Sequence, residues 1–476
     1  MSACHVAVDI GASSGRHIVG QVVGGAMVLT EVYRFENGLS RKDGHLCWDI
    51  DALAENVVAG LAAAKEAGFE PQTVGIDTWA VDYVLLDKND RRLGDCVGYR
   101  DARTDGVRDA LELSGILSFD EHYARTGIQY QQFNTAYQLC AQSREDRAVL
   151  DEAHALLMVP DYLNFVLTGV KAQEYTNAST TALVGAKSCD WDWKLIDRLN
   201  LPRRIFQPIS MPGESLGHVR PEIAERIGYK PEVVLVASHD TGSAWLAVPA
   251  RDERAVYFSS GTWSLVGVEN RAPICTPESA MANFTNEGGY ERRYRYLKNI
   301  MGLWMIQNVR KELGQASGTT PSWDELVKAA EQARAEGYHA VVNADDPEFL
   351  APSSMLLALH DACERTGQPL PTWAGEYALC VYDSLADDYA RTVELLGALT
   401  GVAYTSINIV GGGSNNGYLN QATADACGLP VFAGPTEGTA LGNLMVQFIF
   451  AGEYASLEEA RAAIKKSFEI KEYLPR

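Results

Sequence analysis

The spacing of apolar residues near the start of the chain predicts a run of short strands followed by a helix. Strand-length apolar runs lie at Val6–Ile10, Ile18–Val23 and Met27–Phe35, with glycine-containing turns between them. The alanine-rich stretch Asp51–Ala67 has acidic residues near its start and Gly68 after its end, which is typical of a helix. A strand pair follows in TVGIDTWAVDYVLLDKNDRRLG, so the predicted order is strand, strand, strand, helix, strand.

The small-residue turn after the first strand leads into another strand, and this limits the folds that fit. A dinucleotide-binding unit places a helix directly after its glycine turn, whereas Ile18–Val23 has the pattern of a strand. A P-loop carries Gly-Lys-Ser/Thr, and VAVDIGASSGRHIVGQVVGG contains no such triplet. Gly11–Gly15 is therefore predicted to close a hairpin, and an NAD-dependent dehydrogenase is disfavoured.

The second half of the chain repeats this arrangement at a coarse level. Val233–Val248 has the pattern of a buried strand, a short turn and a helix start, and the charged stretch PARDERA follows it. Ala255–Asn270 again predicts strand, small-residue turn and strand, and Ser406–Gly428 predicts a strand, a triple-glycine turn and a helix ending at Gly428. We therefore predict two domains, residues 1–248 and 254–476.

Composition supports a globular chain that binds small molecules. The 476 residues are too many for one ordinary core, and 46% of them are hydrophobic. A net charge of -21 argues against nucleic acid or an anionic membrane as the main partner, because both attract basic surfaces. An acidic protein binds a nucleotide through local backbone N–H groups, usually with Mg²⁺.

Cysteine usage predicts a reducing compartment. The nine cysteines are odd in number and include no C-x-x-C pair, which favours a reduced, cytoplasmic chain over a disulfide framework or a zinc site. Neither a signal peptide nor an apolar run of the ~20 residues that a membrane helix needs is predicted. Whether Cys363 and Cys380 meet in space is left open by the sequence.

Three turns of small residues, Gly11–Gly15, Ser259–Thr262 and Gly411–Ser414, are candidates for a nucleotide site. Small residues let backbone N–H groups approach an anion, although glycine and serine also occur in turns for steric reasons alone. Two such hairpins, one from each half, are expected to face each other and grip a polyphosphate. The triple glycine would then pack against the base or ribose.

Each polar residue near these turns has a structural and a functional interpretation. Asp240 is either the N-cap of a helix or a general base for a hydroxyl that attacks a γ-phosphate. Asp9 is either a surface strand end or a group that holds Mg²⁺ or its waters. Arg16 is either a surface charge or a partner for phosphate oxygens, and His239 is more often a structural hydrogen-bonding group than a catalyst.

Taken together, these motifs resemble the FGGY carbohydrate kinase family. The resemblance covers nearly the whole chain and includes DIGASSGR, SSGTWS, VGGGSNNGYLNQ and TEGTALGN. Further matching stretches are GIDTWAVDYVLLD, QYQQFNTAYQL, MVPDYLNFVLTG, EYTNASTT, VASHDTGSA and NEGGYERRYRYLKNIMGLWMIQ. The resemblance implies an α/β fold with two actin-like, hexokinase-like (ribonuclease H-like) ATPase domains that flank a nucleotide cleft.

The resemblance also implies roles for particular residues. Asp240 would be the catalytic base, and Asp9 would hold Mg²⁺ through water. The residues implied to contact ATP are Ala12, Ser13, Ser14, Gly15, Arg16, Thr262, Gln307 and Gly412. The residues implied to contact the sugar are Ala80, His239, Asp240, Thr241 and Asn299, with Asp82 as a further hydroxyl acceptor. Similar members of the family carry glycine at the position of Ala80, so the extra methyl group is expected to influence which ketose fits.

The activity that the resemblance implies is ATP-dependent phosphorylation of the 1-hydroxyl of a ketose, with L-rhamnulose favoured. The alternatives are a kinase for L-fuculose, xylulose or ribulose, and a catalytically idle, actin-like sugar sensor. The presence of Asp240 favours an enzyme over the sensor. The expected partners are the ketose, ATP and Mg²⁺, without nucleic acid or membrane, in a monomer or homodimer.

Overall fold

The computed structural model describes residues 3–350 and 352–476 as a mixed α/β protein. The strands are β1 (His5–Ile10), β2 (Ser14–Val23), β3 (Ala26–Glu36), β4 (Leu39–Lys42), β5 (His45–Trp48), β6 (Thr73–Thr78), β7 (Tyr83–Leu86), β8 (Arg92–Leu93), β9 (Cys96–Val97), β10 (Ala155–Met158), β11 (Gln173–Glu174), β12 (Val184–Gly185), β13 (Asp190–Trp191), β14 (Ile209–Ser210), β15 (Ser215–His218), β16 (Glu232–Val234), β17 (Ala255–Ser260), β18 (Ser264–Asn270), β19 (Thr285–Gly288), β20 (Tyr294–Ile300), β21 (Ser406–Val410), β22 (Val431–Ala433) and β23 (Lys471–Tyr473).

The helices follow the same chain order. They are α1 (Ile50–Glu66), α2 (Val107–Leu113), α3 (Phe119–Thr126), α4 (Thr135–Glu145), α5 (Arg147–Glu152), α6 (Val159–Thr168), α7 (Tyr175–Ser179), α8 (Trp193–Arg198), α9 (Pro221–Ile227), α10 (Asp240–Leu246), α11 (Pro277–Met281), α12 (Trp304–Ser317), α13 (Trp323–Ala335), α14 (Met355–Thr366), α15 (Ala374–Thr400), α16 (Gly417–Cys427), α17 (Gly438–Phe450) and α18 (Leu457–Ser467). Among the described residues, no helix combines the length and hydrophobicity needed to cross a membrane.

Two sheets repeat one strand arrangement. The first has the order β15-β16-β6-β1-β2-β3, in which β1 runs antiparallel to β2 but parallel to β6. The second has the order β19-β20-β18-β17-β21-β22-β23, in which β17 runs antiparallel to β18 but parallel to β21. The predicted coarse repeat between the halves is therefore present in the strand topology.

The opening elements form as the apolar pattern predicts. All six residues of β1 are buried, as expected for an inner strand of a sheet that is covered on both faces. The Asp49 side chain accepts a hydrogen bond from Ala52 N and caps α1, and the helix ends just before Ala67 and Gly68. The predicted hairpin is present, because β2 begins at Ser14 with no helix between the strands.

The strand predicted from Val233 is shorter than its apolar run. The regular ladder of β16 ends at Val234, although residues 235–238 remain buried. Leu235 instead exchanges backbone hydrogen bonds with the loop before β15, donating to Glu214 O and accepting from Gly213 N. Ser238 O then accepts from Thr78 N at 2.9 Å, so the chain stays beside β6 up to His239.

The chain packs into two compact units that are discontinuous in sequence. The first unit contains residues 1–247, 269–296 and 438–467, and the second contains residues 248–268, 297–437 and 468–476. This partition differs from the contiguous division into 1–248 and 254–476, which stays a prediction about domain organisation. In the first unit, apolar residues of β1, β6 and α1 form a core cluster that includes Val8, Ile76 and Leu61.

Candidate active site

In the first unit, the carboxyl ends of three neighbouring strands bring several predicted residues to one sheet edge. β1 and β6 are parallel and pair Asp9 with Asp77, and β6 is parallel to β16. Beyond the ladder, Thr78 bridges to His239, the residue before Asp240. Ligands of open α/β sheets bind at such carboxyl ends. This edge is therefore the candidate active site of the unit.

The turn between β1 and β2 is held closed by hydrogen bonds from its own backbone and from Asn37. Gly11 N donates to Ser14 O at 2.9 Å, and Asn37 donates to Gly11 O from its side chain and to Ser13 O from its backbone. A Cβ on Gly15 would overlap the Phe35 ring, so a larger residue there would force that ring to move. The turn is thus preformed, and its contact with phosphate stays a prediction for Ala12, Ser13, Ser14, Gly15 and Arg16.

Asp9 and Arg16 face each other across the hairpin. Arg16 donates from Nε and Nη2 to Asp9 Oδ2, at 3.1 and 3.0 Å. The two residues that the sequence assigned to a cation and to phosphate therefore bind one another. Carboxylate oxygens are the ligands that Mg²⁺ prefers, so this donor set fits a cation held through water.

Asp77 is a buried carboxyl group that the sequence analysis did not single out. Its Oδ2 accepts from Asn443 Nδ2 at 2.6 Å, whereas its buried Oδ1 has no hydrogen-bond partner among the described residues. Burial raises the pKa of Asp77 well above its ordinary value, and the charge of Asp9 adds to this effect. Its position in the register opposite Asp9 could not be read from the sequence.

Asp240 is the first residue of α10, and His239 occupies the N-cap position. Asp240 Oδ1 accepts from Thr241 N at 2.5 Å and from Thr241 Oγ1 at 3.1 Å. Asp240 Oδ2 has no hydrogen-bond partner among the residues that the structure describes, and 33% of the side chain is exposed. The structure thus does not place Asp240 at the N-cap, and its second oxygen is available to accept a proton.

A buried glutamate holds the backbone just before Asp240. Glu174 accepts five hydrogen bonds, from Thr176 N, Thr176 Oγ1, Asn177 N, Ser238 N and Ser238 Oγ. Thr176 Oγ1 in turn accepts from His239 N at 3.2 Å. Burial raises the pKa of Glu174. The stretch EYTNASTT carried the resemblance, but the sequence alone could not show what Glu174 binds.

The Ala80 turn has an unusual backbone. Asp82 N donates to Ala80 O at 2.9 Å around Val81, whose φ of 67° is rare for a β-branched residue. The Val81 carbonyl oxygen accepts from Thr135 Oγ1 at 2.7 Å and from Gln138 Nε2 at 3.2 Å, which holds the turn in place. Strain of this kind is common at functional sites, and the sugar contact of Ala80 stays a prediction.

The structure corrects the expectation that Asp82 accepts a substrate hydroxyl. Asp82 is 1% exposed. Its Oδ2 accepts from Trp48 Nε1, Trp79 Nε1 and Tyr99 N, and its Oδ1 accepts from Gln138 Nε2. Asp82 is therefore a buried structural residue whose hydrogen bonds connect the indole rings of Trp48 and Trp79 to the Ala80 turn.

The second unit contains three of the candidate nucleotide residues, Thr262, Gln307 and Gly412. The turn that contains the exposed Thr262 contacts the start of α12, where Trp304 N donates to Thr262 O at 3.0 Å. A Cβ on Gly302 would lie 2.5 Å from Ser264 N, so only glycine allows this approach. Gln307 lies in the first turn of α12, next to this contact.

The triple glycine packs against the same β17–β18 turn. Gly411 has a φ of 88°, and its Cβ would lie 2.9 Å from Ser260 O. A Cβ on Gly413 would overlap the Ser260 side chain, whereas Gly412 faces open space. The segments that carry Thr262, Gln307 and Gly412 therefore meet at the β17–β18 turn of the second unit. Asn299, at the end of β20, also belongs to this unit, unlike the other predicted sugar contacts.

Cys363 and Cys380 do meet in the second unit. Their Sγ atoms are 3.9 Å apart, and both residues are thiols. The hydrogen bond from Cys380 lowers the pKa of Cys363, which makes Cys363 the more acidic of the pair.

Comparisons with known proteins define the class of this chain. The N-terminal domain of the FGGY family of carbohydrate kinases matches residues 4–247, and the C-terminal domain of that family matches residues 256–451. The chain belongs to the FGGY family of carbohydrate kinases. The family and the carbohydrate kinase activity predicted from the motifs are confirmed.

Curated relatives narrow the comparison to one kind of kinase. The chain is 47% identical over 469 residues to a rhamnulokinase from Halalkalibacterium halodurans, covering 98% of both chains. It is 43% identical to a rhamnulokinase from Bacillus subtilis, covering 99% of this chain and 95% of the relative.

Solved structures of sugar kinases share the fold. A ligand-bound xylulose kinase from Lactobacillus acidophilus matches with a TM-score of 0.82 at 15% identity, covering 100% of this chain and 94% of that one. Plasmodium falciparum glycerol kinase with ADP matches with a TM-score of 0.78 at 13% identity, covering 100% and 95%. The predicted fold class, an α/β protein with two domains of the actin-like ATPase type, is confirmed.

Proposed function

We propose that this chain transfers the γ-phosphoryl group of ATP to the 1-hydroxyl of L-rhamnulose. The observation that carries this proposal is the near full-length identity of 47% and 43% to two curated rhamnulokinases. The free oxygen of Asp240 at the sheet edge supports it independently. The products are L-rhamnulose 1-phosphate and ADP.

In the proposed step, Asp240 acts as the general base. The sugar O1 attacks the γ-phosphorus, the bond from that phosphorus to the β,γ-bridging oxygen breaks, and ADP leaves with the electron pair. Asp240 Oδ2 takes the hydroxyl proton, while the bonds from Thr241 to Oδ1 keep the carboxylate oriented. His239, Thr241 and Ala80 contact the sugar in this proposal, together with Asn299.

The two small-residue turns bind the nucleotide in this proposal. Backbone N–H groups of Ala12, Ser13 and Ser14 contact phosphate oxygens, and Arg16 adds positive charge. Thr262, Gln307 and Gly412 contact the nucleotide from the second unit. Mg²⁺ bound through water near Asp9 would neutralise phosphate charge during transfer.

The cytoplasm is the proposed location. All nine cysteines are thiols in the described residues, which suits a reducing compartment.

The test combines a sugar screen with one substitution. ADP release coupled to a reporter is measured with L-rhamnulose, L-fuculose, xylulose and ribulose. We expect the highest kcat/KM with L-rhamnulose, and Asp240→Asn to lower kcat by about 10²–10⁴-fold, the usual contribution of a general base.

Asp49→Asn is the matched control, because it makes the same substitution at a helix start where asparagine caps equally well. It should leave kcat unchanged. Preference for another ketose would reject the proposed substrate. Normal turnover in folded Asp240→Asn would reject the proposed base.

A further inference from the structure

A buried arginine contacts the side of His239 that faces away from Asp240. Arg295 is 1% exposed, and two of its three side-chain nitrogens have a hydrogen-bond partner, whereas Nη1 makes an ion pair. Nε donates to Gly288 O at 2.8 Å, Nη1 lies 3.0 Å from Glu287 Oε2, and Nη2 lies 3.0 Å from His239 Nδ1. All of these residues belong to the first unit.

This arrangement determines which nitrogen of His239 carries the proton. An arginine side chain only donates hydrogen bonds, so His239 Nδ1 must offer its lone pair to Nη2. The neutral imidazole then has its hydrogen on Nε2. A proton on Nδ1 would place two N–H groups against each other across 3.0 Å.

Among the described residues, Glu287 is the acceptor next to His239 Nδ1 that would favour the opposite tautomer. Its Oε2 lies 3.3 Å from His239 Nδ1 and could accept a proton from it. However, the same oxygen lies closer to Arg295 Nη1, and the Arg295 charge is the main attraction that lowers the pKa of Glu287 against the opposing effect of burial. Glu287 therefore forms an ion pair with Arg295, and Arg295 donates a hydrogen bond to His239.

We propose that Arg295 is a positioning residue that holds His239 with the Nδ1 lone pair facing Nη2 and the proton on Nε2. His239 Nε2 lies 3.4 Å from Asp240 Oδ1, a long contact that leaves its N–H able to donate to a sugar hydroxyl. Asp240 Oδ2 stays free for the reacting hydroxyl. The consequence for turnover rests on the proposed function, whereas the tautomer does not.

The hairpin that carries Arg295 has other attachments, so its anchoring does not require this ion pair. Gly288 N donates to Ser179 Oγ at 2.7 Å, and the Tyr175 ring lies where a Cβ on Gly288 would be. Buried ion pairs are expensive to desolvate, and apolar residues of similar size often pack as stably. A positioning role accounts for keeping the charges here.

The first experiment reads the tautomer directly in the wild-type protein. Protein labelled with ¹⁵N in its histidine rings is studied by long-range ¹H–¹⁵N NMR without ligands, and His239→Asn identifies the signal. We expect a pyridine-like shift for Nδ1 and a pyrrole-like shift for Nε2. The reverse pattern, or a doubly protonated ring at neutral pH, would overturn the proposal without any further variant.

The second experiment separates Arg295 from Glu287. Arg295→Lys keeps the charge but offers a single nitrogen, which cannot replace three separate donors. We expect a mixture of tautomers and a fall in kcat of about 10²-fold, the scale of a small misplacement at a reacting centre, with KM for ATP unchanged. Glu287→Gln should retain the wild-type tautomer, because Arg295 still donates to His239.

Arg125→Lys is the matched control, since Arg125 binds Asp192 through two nitrogens at a partly buried ion pair of the same unit. It should change thermal stability without changing the His239 spectrum. Folded Arg295→Lys with the wild-type tautomer and kcat would overturn the proposal, as would Glu287→Gln shifting the tautomer while Arg295→Lys does not. Failure of the sugar screen alone would reject the substrate and leave the NMR result standing.

Discussion

Two neighbouring glycines, Gly412 and Gly413, have different surroundings. Substituting each in turn therefore distinguishes an effect on ATP binding from an effect on packing. A Cβ on Gly412 would meet no atom within 4 Å, whereas a Cβ on Gly413 would overlap the buried Ser260 side chain. The first glycine is predicted to contact ATP. The second is required by the approach of the triple-glycine turn to β17.

We expect Gly412→Ala to raise KM for ATP while Tm stays close to wild type, because the methyl group enters open space that the nucleotide would use. Gly413→Ala should destabilise the fold by about 1–3 kcal/mol, the usual effect of inserting a carbon into a packed region. Thermal unfolding and ATP titrations of both variants check this. Equal effects of the two substitutions on Tm would contradict the assignment.

Asp82 predicts a pH dependence of stability. Burial raises the pKa of Asp82 from 3.8 to about 6, despite four hydrogen bonds that favour the carboxylate. The folded state therefore holds this proton more tightly than the unfolded chain does. The stability that this contributes is fully present below pH 3.8 and is lost as the pH rises through about 6.

The difference between the pKa of Asp82 in the unfolded and in the folded state corresponds to a loss of up to about 3 kcal/mol in the free energy of unfolding between acidic and neutral pH. Asp82→Asn removes the titration but keeps an oxygen for the indole N–H groups. Denaturant unfolding of both proteins at a series of pH values should therefore show a weaker decline in the variant. An unchanged pH profile would mean that Asp82 does not titrate in this range.

At the scale of elements, the crossing of α10 and α17 controls where Asp240 lies. A Cβ on Gly442 of α17 would overlap the backbone oxygen of Ser243, which is in the helix that begins with Asp240. Backbone cannot rotate away as a side chain can, so α10 must shift if this glycine is replaced. The position of Asp240 and the packing of a distant segment are thus linked.

Gly442→Ala is expected to lower both Tm and kcat, with a loss of stability of at least about 1–3 kcal/mol. Gly397→Ala in α15 is the control, because its Cβ would make an ordinary 3.4 Å contact with Val402 O. There the substitution should be neutral or stabilise by about 0.5–1 kcal/mol through helix propensity. Calorimetry and steady-state kinetics distinguish the two. Unchanged kcat in Gly442→Ala would show that α10 does not move.

The elements with a strong local pattern were predictable, and the contacts between distant segments were not. β1 to β3 and α1 follow from apolar spacing, glycine turns and a capping residue, all of which act within a few positions. Asp240 and the turns could be predicted as site candidates because they lie in short sequence motifs. Arg295 could not, because its contact with His239 joins residues 56 positions apart, and no local signal records such a contact.

At the scale of the whole molecule, the first unit depends on a helix from the end of the chain. Gln447 of α17 donates to Val6 O at 3.0 Å and accepts from Thr73 Oγ1 at 2.6 Å. Asn443 donates to Gly75 O and to Asp77 Oδ2. These bonds satisfy buried polar groups of β1 and β6, which would otherwise be desolvated without partners.

A fragment of residues 1–248 lacks both this helix and residues 269–296, so it should fail to fold alone although it spans the family's N-terminal domain. We expect no cooperative unfolding transition and little protection of β1 and β6 from hydrogen exchange. Co-expression with residues 249–476 should restore both, because the missing helix is then supplied in a second chain. Cooperative unfolding of the isolated fragment would show instead that its own core is sufficient, and that the discontinuous packing contributes only part of the stability of the first sheet.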